Sequence, residues 1–400
     1  MTGPLEGIKV VEVGNAMAAP FCGMLLGDYG ADVIKIERVG AGDDSRGWPP
    51  YFYGRLSHYY AAANRNKRCV ALDLKSAAGV DIAKRLIARA DVLLENYRVG
   101  ALERAGLGYE AMADLNPRLI YCSVSGFGRE GPRREERAND LMMQAFAGSM
   151  SVTGEYGGPP VRMGTSVADI GAGLFATVGI LSALESRHRS GRGQHVTTSL
   201  LQGQLAVLSY QLTSYFATGV PPIAYGAGAG LGVPYGAFPT ADDPIIIAAF
   251  NDTMWRRLCA VLSHPEWADD PRFVDSAHRV QHRDLLLGLV TEVLEAKPSA
   301  EWLAILQDAG VPCAPINRID QVVVDPQVRS GGMIAEMDVP DVGPVSFAAP
   351  PIGLSETPGE ITLPPPRLGE HTRPILRDLG FDDAEVDRLA ADGVVGLDPT

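Results

Sequence analysis

The strongest constraint on the fold is a strand–helix–strand pattern that begins near the first residue. Residues 8–13 form an apolar run of strand character, residues 20–29 have helical character and are closed by Gly30, and residues 33–37 form the next strand-like run. Parallel neighbouring strands need a crossover of a dozen or more residues, usually a helix. This pattern therefore predicts a βαβ unit and a mostly parallel sheet.

The same pattern recurs further along the chain. Residues 70–74 are followed by Ser76 as a helix N-cap, by a helix with an apolar face, and by a further strand-like run at 92–94. Additional strands are predicted at 119–124 and 195–199, with helices at 140–150 and 170–186. We therefore expect residues 1–200 to form one large, Rossmann-like α/β domain.

The composition shifts after a long helical stretch at 200–217. Pro221 and Pro222 precede a run with alternate glycines at 226–232, so residues 201–225 are predicted to be a linker. Two strand-like runs then flank Asp242 and Asp243, which predicts a hairpin, and helices are expected near Asn251 and Ser299.

Residues 226–325 are therefore predicted to form a smaller α+β domain. Residues 330–365 are rich in proline and glycine, with only short apolar runs, and a helical pattern follows. We expect residues 326–400 to return to the large domain and complete it.

Composition and charge exclude several classes of protein. The 400 residues contain 46% hydrophobic residues, which excludes intrinsic disorder. The net charge of −13 would repel a polyanion, so nucleic acid is not an expected partner. Five scattered cysteines without a CxxC pair indicate a reducing compartment, and we predict a cytoplasmic protein. No targeting segment is visible, and the longest run of small apolar residues, 171–184, is too short to span a membrane.

Common cofactor and catalytic motifs are missing from the sequence. The turn after Val13 lacks the second and third glycines of a dinucleotide-binding fingerprint. No phosphate-binding P-loop, HExxH zinc motif or GxSxG elbow occurs. We therefore expect no metal and no tightly bound cofactor. The glycines of 226–232 do not follow a strand, and a mobile loop is the simplest interpretation of them.

A series of segments, in order along nearly the whole chain, resembles the family III CoA-transferases. They are residues 26–37 (LGDYGADVIKIE), 43–48 (DDSRGW), 64–75 (NRNKRCVALDLK), 91–97 (DVLLENY), 115–120 (LNPRLI), 191–194 (GRGQ) and 368–372 (LGEHT). This family includes formyl-CoA:oxalate CoA-transferase and related racemases. The resemblance implies CoA and acyl-CoA as substrates, a small carboxylic acid as second substrate, and a homodimer of interlocked chains.

The resemblance also implies that Asp169 is the catalytic nucleophile. In isolation Asp169 would be interpreted as a helix N-cap, since it opens an apolar helix. The two roles are compatible, because the positive end of a helix dipole favours an ionised carboxylate. The implied mechanism passes through an anhydride and then a thioester on Asp169, so it needs donors for an oxyanion and a site closed to water. The 226–232 loop is a candidate lid.

The same resemblance also implies which residues contact CoA and which contact the acyl or acceptor group. The implied CoA contacts are Ala18, Arg38, Leu72, Lys75, Asn96, Tyr97, Arg98, Arg104 and Arg137. For each cation, a solvated surface charge is the alternative. The implied acyl or acceptor contacts are Met17, Trp48 paired with Tyr59 or Tyr60, Gln144, Gly228 and Gly230. Buried packing of Trp48 and a helix-surface position of Gln144 are the alternatives there.

Two positions bear on the choice of reaction and substrate. The racemase branch has a histidine where this chain has Asn139, which cannot exchange a proton near neutral pH, so transfer is favoured over racemisation. A silent CoA-binding protein is the third hypothesis, and Asp169 argues against it. Oxalate-specific relatives have glutamine at the position of Met17, which favours a more apolar group. This position argues against formyl-CoA:oxalate transfer, and we expect succinyl-CoA as donor with a larger or more apolar carboxylic acid as acceptor.

Overall fold

The computed structural model describes residues 3–228, 230 and 232–398, and these fall into two compact units. The first unit comprises the described residues of Met1–Ala147, Met163–Thr213 and Pro326–Thr400. The second comprises those of Gly148–Arg162 and Ser214–Asp325. Each unit has its own hydrophobic core, and each is described by itself below.

The strands of the described residues belong to four sheets. They are β1 (Lys9–Val13), β2 (Asp32–Glu37), β3 (Phe52–Tyr53), β4 (Leu56–Ser57), β5 (Lys67–Leu72), β6 (Val92–Glu95), β7 (Ile120–Ser125), β8 (His195–Ser199), β9 (Tyr235–Phe238), β10 (Ile245–Ala248), β11 (Cys313–Pro315), β12 (Ile334–Val339), β13 (Gly343–Ala348) and β14 (Val395–Gly396). The largest sheet has the order β14-β5-β2-β1-β6-β7-β8. All its pairings are parallel except that of β14 with β5, which is antiparallel.

The helices of the described residues connect these strands. They are α1 (Ala18–Asp28), α2 (His58–Asn64), α3 (Ala77–Ala88), α4 (Ala101–Arg104), α5 (Tyr109–Leu115), α6 (Asp140–Phe146), α7 (Val167–Ser190), α8 (Leu200–Val207), α9 (Ser209–Thr218), α10 (Asp252–Val261), α11 (Ser276–Gln281), α12 (Arg283–Leu294), α13 (Ser299–Asp308), α14 (Ile319–Val322), α15 (Pro326–Ser330), α16 (Thr372–Asp378) and α17 (Asp383–Ala391). Short 3-10 segments lie at Asp44–Gly47, Ser149–Val152 and Pro265–Ala268.

The large sheet is covered by helices on both faces. Leu93 and Tyr121 pack on one face with Ile82 of α3, and Val92 and Ile120 pack on the other with α1 and α7. Strands β6 and β7 are therefore buried throughout, which explains why the sequence reads there as continuous apolar runs. The predicted α/β fold with a large, mostly parallel sheet is confirmed.

The second unit is a mixed α+β body. Strands β9, β10 and β11 form an antiparallel sheet, and the predicted hairpin is its β9–β10 pair. Its core includes Trp255 and Phe273. Residues 148–162, which the sequence analysis placed in the large domain, belong to this unit. Gly226 N donates to Gly154 O at 2.8 Å, and the Tyr156 ring stacks on Tyr225 at 5.9 Å, so these distant segments lie together.

The C-terminal segment belongs to the first unit. It contains the antiparallel pair β12–β13, which was not predicted, and β14, which joins the edge of the large sheet. Val345 and Phe347 of β13 are buried against Tyr60 and Leu56. Their alternation is too short to stand out between prolines and glycines.

Two helical expectations differ from the structure. The stretch 200–217 is two helices, α8 and α9, with Leu208 between them. The apolar run 171–184, which was expected to be too short to span a membrane, lies within the 24-residue helix α7. Among the described residues, only α7 is long and apolar enough to cross a membrane by length and composition, and 44% of its apolar window is buried. It packs closely on α1, since a Cβ added at Gly173 would lie 2.7 Å from Ala18 O.

Candidate active site

The carboxyl edge of the large sheet is where a ligand site is expected. From β1 the chain moves to β2 and β5 on one side, and later to β6, β7 and β8 on the other. The strand order therefore reverses between β1 and β6. Open parallel sheets bind ligands outside the carboxyl ends of their strands at such a reversal.

A cavity of about 1160 Å³ opens at this edge. Its walls include Glu37 at the end of β2, Leu72 at the end of β5, Tyr97 just after β6, and the first residues of α3 and α4. This volume lies slightly above the usual range for ligand sites, about 300–1000 Å³. The cavity is therefore large enough for an extended ligand.

Cations surround this cavity. Arg38, Lys75, Lys84 and Arg104 all line it, and so does Ser76, which caps the twelve-residue helix α3 by accepting from Gly79 N at 3.0 Å. Phosphate groups are bound by cationic side chains and by helix N-termini. The wall of this cavity therefore suits a ligand with several phosphates, although the whole chain is acidic.

The predicted CoA contacts fall into two groups. Five of them line the cavity, namely Arg38, Leu72, Lys75, Tyr97 and Arg104. Four are not among its lining residues, namely Ala18, Asn96, Arg98 and Arg137. Ala18 is buried at the start of α1, Arg98 donates to Glu135 O at 2.9 Å, and Arg137 is exposed. The binding roles of all nine stay predictions.

Lys84 is a cavity residue that the sequence analysis missed. It lies one helical turn after Val80, which also lines the cavity, and both belong to α3. The sequence contained the information needed to find Lys84, because residues four apart share a helix face. The helix that starts at the cavity with Ser76 thus presents a second cation further along the same face.

The loop after β1 is held by side chains from other elements. Asn15 N donates to Asn96 Oδ1 at 2.9 Å, and Asn96 Nδ2 donates back to Asn15 O at 2.9 Å. Ala16 has a positive φ of 64°, and its N–H donates to Asp43 Oδ1 at 3.1 Å. A non-glycine residue in this region persists only where its surroundings hold it. Asn96 and Asp43 do so here.

A buried charge network lies beneath that loop. Lys35 Nζ lies 2.7 Å from Glu12 Oε1, 2.9 Å from Asp43 Oδ2 and 2.9 Å from Gly14 O. Lys67 Nζ lies 2.8 Å from the other oxygen of Glu12. Burial acts to lower the pKa of Lys35, but Glu12 and Asp43 raise it above its ordinary value. The charged lysine thus fixes the end of β1.

Asp169 lies in the first turn of α7, but the N-cap residue is Ser166, so the interpretation of Asp169 as the N-cap was wrong. Burial, and then the nearby charge of Asp140, raise the pKa of Asp169 to about 7. Burial and the like charge thus act against the ionised form of Asp169, which the helix dipole was expected to favour. Asp169 is not among the lining residues of the cavity described above.

Two buried side chains of α6 hold the segment that leads into α7. Asp140 Oδ1 accepts from Ala168 N at 2.9 Å. Gln144 Nε2 donates to Asp140 Oδ2 at 2.7 Å and to Thr165 O at 3.2 Å, and Gln144 Oε1 accepts from Met163 N at 2.8 Å. Gln144 is 1% exposed, so these bonds give it a positioning role. Its substrate contact stays a prediction.

We expect the rate of a reaction that uses the Asp169 carboxylate to rise with pH through about 7. Only the ionised form attacks, so kcat/KM one pH unit below the midpoint is expected to be about a tenth of its plateau. Asp140→Asn removes the neighbouring negative charge, which lowers the pKa of Asp169 and moves the midpoint to lower pH. The measurement is kcat/KM for the acyl-CoA between pH 5 and 9.

Gln144→Met is the matched control for that profile. It breaks the hydrogen bonds to the same segment without changing the charge, so it is expected to lower kcat and to leave the midpoint in place. A midpoint that stays put in Asp140→Asn would contradict the role given to the Asp140 charge.

Besides Gln144, the predicted acyl-site residues of the first unit are Met17 and Trp48. Met17 is 9% exposed and is the N-cap residue of α1. The Trp48 ring meets Tyr59 edge-on at 5.3 Å between centroids. Tyr60 is instead fully buried, and its hydroxyl donates to Glu37 Oε1 at 2.8 Å. The aromatic pair thus uses Tyr59, and the substrate roles of Met17 and Trp48 stay predictions.

The predicted lid glycines belong to the second unit. A Cβ at Gly228 would lie 2.9 Å from Tyr235 O, and one at Gly230 would lie 2.8 Å from the Tyr225 ring. Both positions therefore have no room for a side chain. Ala229 and Leu231 of the predicted loop lie outside the described residues. The lid role, like the substrate contacts of Gly228 and Gly230, stays a prediction.

Asn139 caps a helix in this structure. Its side chain accepts from Met142 N at 2.9 Å as the N-cap of α6. This bond explains the asparagine structurally, in keeping with the absence of a proton-exchanging group there. Among the described residues, no group of three or more His, Cys, Asp or Glu side chains could hold a metal ion.

Comparisons with known proteins agree with this geometry. The model of CoA-transferase family III matches residues 5–372. Succinyl-CoA:glutarate CoA-transferase from Homo sapiens is 38% identical, over 98% of this chain and 90% of that protein. Succinate–glutarate CoA-transferase from Agrobacterium fabrum is 39% identical, over 94% of this chain and 96% of that protein.

A solved structure is also similar. The crystal structure of a CaiB/BaiF family protein from Brucella suis has a TM-score of 0.85 and 37% identity, and the match covers 95% of this chain and 100% of that one. A family match over most of the chain, relatives of nearly equal length and the same fold lead to one conclusion. This chain belongs to the family III CoA-transferases and is an enzyme of that class.

Proposed function

We propose that this enzyme moves CoA from an acyl-CoA donor to a carboxylic acid through a covalent intermediate on Asp169. The observation that carries the proposal is the cavity at the carboxyl edge of the sheet. Its four cations and the start of α3 suit the pyrophosphate and 3′-phosphate of CoA. Asp169 supports the covalent step, because it is a carboxylate held at a helix start by the Asp140 and Gln144 contacts.

The proposed reaction keeps the energy of the thioester in four attacks. The Asp169 carboxylate attacks the donor acyl carbon, which forms a mixed anhydride and releases CoA thiolate. The thiolate attacks the Asp169 carbonyl carbon, which forms an enzyme thioester and releases the donor acid. The acceptor carboxylate then attacks that thioester, which forms a second mixed anhydride and releases CoA thiolate again. The thiolate finally attacks the acceptor acyl carbon and forms the new acyl-CoA. The last step regenerates the Asp169 carboxylate.

The partial burial of Asp169 fits this sequence of steps. An anhydride exposed to solvent would be hydrolysed, so the reaction needs a site with little water. The raised pKa of Asp169 reflects such surroundings. At neutral pH a substantial fraction of the side chain is still ionised and able to attack.

We propose succinyl-CoA as donor and a dicarboxylic acid close to glutarate in size as acceptor. The support is the two relatives described above, whose names pair succinyl-CoA or succinate with glutarate. Both match nearly the whole length of this chain. Met17 fits a longer methylene chain better than oxalate, because its thioether offers no amide to a compact dicarboxylate.

The test is an exchange assay with the full chain. Succinyl-CoA is incubated with a panel of mono- and dicarboxylic acids, oxalate included, and new CoA esters are identified by mass spectrometry. Glutaryl-CoA, or the CoA ester of a similar acid, is the expected product. If no ester forms but deuterium from the solvent enters the α position of a 2-methylacyl-CoA, the racemase alternative replaces this proposal.

We also propose a homodimer, with the exposed face of α7 as support. Leu174, Phe175, Val178 and Leu181 are each 41–61% exposed and recur at helical spacing. An apolar face of this kind usually marks an interface, and homodimers are the commonest closed assemblies. Light scattering is expected to give twice the mass of one chain. Val178→Asp should shift the protein towards monomer, whereas a monomeric wild type would refute the proposal.

The cytoplasmic location stays a prediction. All five cysteines are free, and four of them are buried, which is the state expected in a reducing compartment.

A further inference from the structure

We infer that Asp44 competes with the phosphates of CoA for Arg38, and so sets the affinity of the cavity for CoA. This inference rests on the proposed function, in which the cavity takes CoA. Arg38 is a cation of that cavity, and in the structure its guanidinium forms an ion pair with Asp44. No family motif named above gives Asp44 such a role; the contacts do.

Within the part of the chain that the structure describes, the guanidinium of Arg38 donates hydrogen bonds through Nε and Nη2 only. Nε and Nη2 donate to Gly42 O at 3.1 and 2.9 Å, and Nη2 also donates to Asp44 Oδ1. The side chains of Arg38 and Asp44 are 50% and 49% exposed. An arriving phosphate can therefore reach the guanidinium, but it meets the Asp44 carboxylate beside it. Two anions on one guanidinium repel each other. A phosphate must therefore displace Asp44 from Arg38 or share Arg38 with it.

Asp44 stays in place when a phosphate binds Arg38. Asp44 N donates to Asn15 Oδ1 at 2.8 Å, and Asn15 Nδ2 donates to Asp44 Oδ2. Asn15 is itself fixed through its backbone by Asn96. The carboxylate is thus anchored beside Arg38 independently of the ion pair, and the pair can form again as soon as the phosphate leaves. An anchored competitor of this kind weakens CoA binding and favours release of the acyl-CoA product.

The experiment measures binding of CoA to the full-length protein by isothermal titration calorimetry at low salt. Asp44→Asn keeps the shape of the side chain and removes its charge. We expect CoA to bind the variant about twofold to fivefold more tightly than the wild type, the range of an exposed ion pair. The gain should shrink at 0.5 M salt, where exposed charges are screened.

Two controls separate competition for Arg38 from a general change in charge. Asp81→Asn removes another negative charge at the cavity, but Asp81 pairs with Arg85 at 2.9 Å and not with Arg38. Arg38→Gln removes the shared cation. In the Arg38→Gln background the gain from Asp44→Asn is expected to disappear, and any gain from Asp81→Asn is expected to remain.

The outcomes distinguish this inference from the proposed function. If the wild type does not bind CoA at all, the proposed function fails and this inference fails with it. If the wild type binds CoA and Asp44→Asn binds with equal or lower affinity, only the role of Asp44 is overturned. A gain that persists in Arg38→Gln overturns it as well, because the effect then does not pass through Arg38.

Discussion

Asp169→Ala is expected to lower the rate of CoA transfer by a factor of at least about 10⁴, the scale seen when a covalent nucleophile is removed. Alanine has no carboxylate to form the anhydride, and no neighbouring acid replaces it, because Asp140 uses its oxygens to hold Ala168 and Gln144. CoA affinity should change little, since Asp169 does not line the cavity with the four cations. The measurements are initial rates of ester formation and CoA binding by calorimetry.

An oxygen label tests the covalent step directly. In the proposed sequence the bridging oxygen of the second anhydride comes from the acceptor acid and stays on Asp169. An acceptor labelled with ¹⁸O in its carboxylate should therefore leave one heavy oxygen on the Asp169 peptide after one turnover, as read by mass spectrometry. Unlabelled Asp169 after many turnovers, with CoA esters still formed, would contradict the covalent mechanism and favour direct transfer.

Lys35→Met is expected to destabilise the large unit by about 3–5 kcal/mol, the usual cost of removing one partner from a buried ion pair. Glu12 would keep its ion pair with Lys67, whereas Asp43 would lose its ion pair with Lys35, which leaves one uncompensated negative charge in the core. The loop after β1 would also lose the hydrogen bond to Gly14 O. The free energy of unfolding is measured by urea denaturation followed by circular dichroism.

A second substitution and a control make this result specific. Asp43→Asn in the Lys35→Met background restores neutrality around Glu12 and Lys67, so the double variant is expected to recover part of the lost stability. Lys9→Met, on an exposed side chain of β1, is expected to stay within about 0.5 kcal/mol of the wild type. A loss below 1 kcal/mol in Lys35→Met would show that the network does not stabilise the fold.

The fold of the large unit could be predicted because its signal is local. Buried parallel strands read as apolar runs, and the helix of α3 has an N-cap and an apolar face in the sequence itself. The pairing of β14 with β5, and the placement of residues 148–162 in the second unit, depend on contacts between segments far apart along the chain. Periodicity carries no information about such contacts.

The site could be predicted only in part, for a similar reason. The family motifs indicated Arg38, Lys75 and Arg104, and the structure brings these three into one cavity. Lys84 was missed, although its spacing from Val80 was visible. The raised pKa of Asp169 could not be predicted, because it depends on burial and on Asp140, which belongs to another helix. Distances through space decide charge interactions, and a sequence does not give them.

The edge strand β14 has a consequence for the order of folding during synthesis. Val395 pairs with Leu72, so the sheet that carries the cavity is completed by residues that are synthesised after all its other strands. All segments of the second unit, 148–162 and 214–325, are made before that point. The edge of β5 therefore stays uncovered until β14 has been synthesised. Domains usually fold in the order of their synthesis, but the first unit can be completed only after the whole second unit has been made.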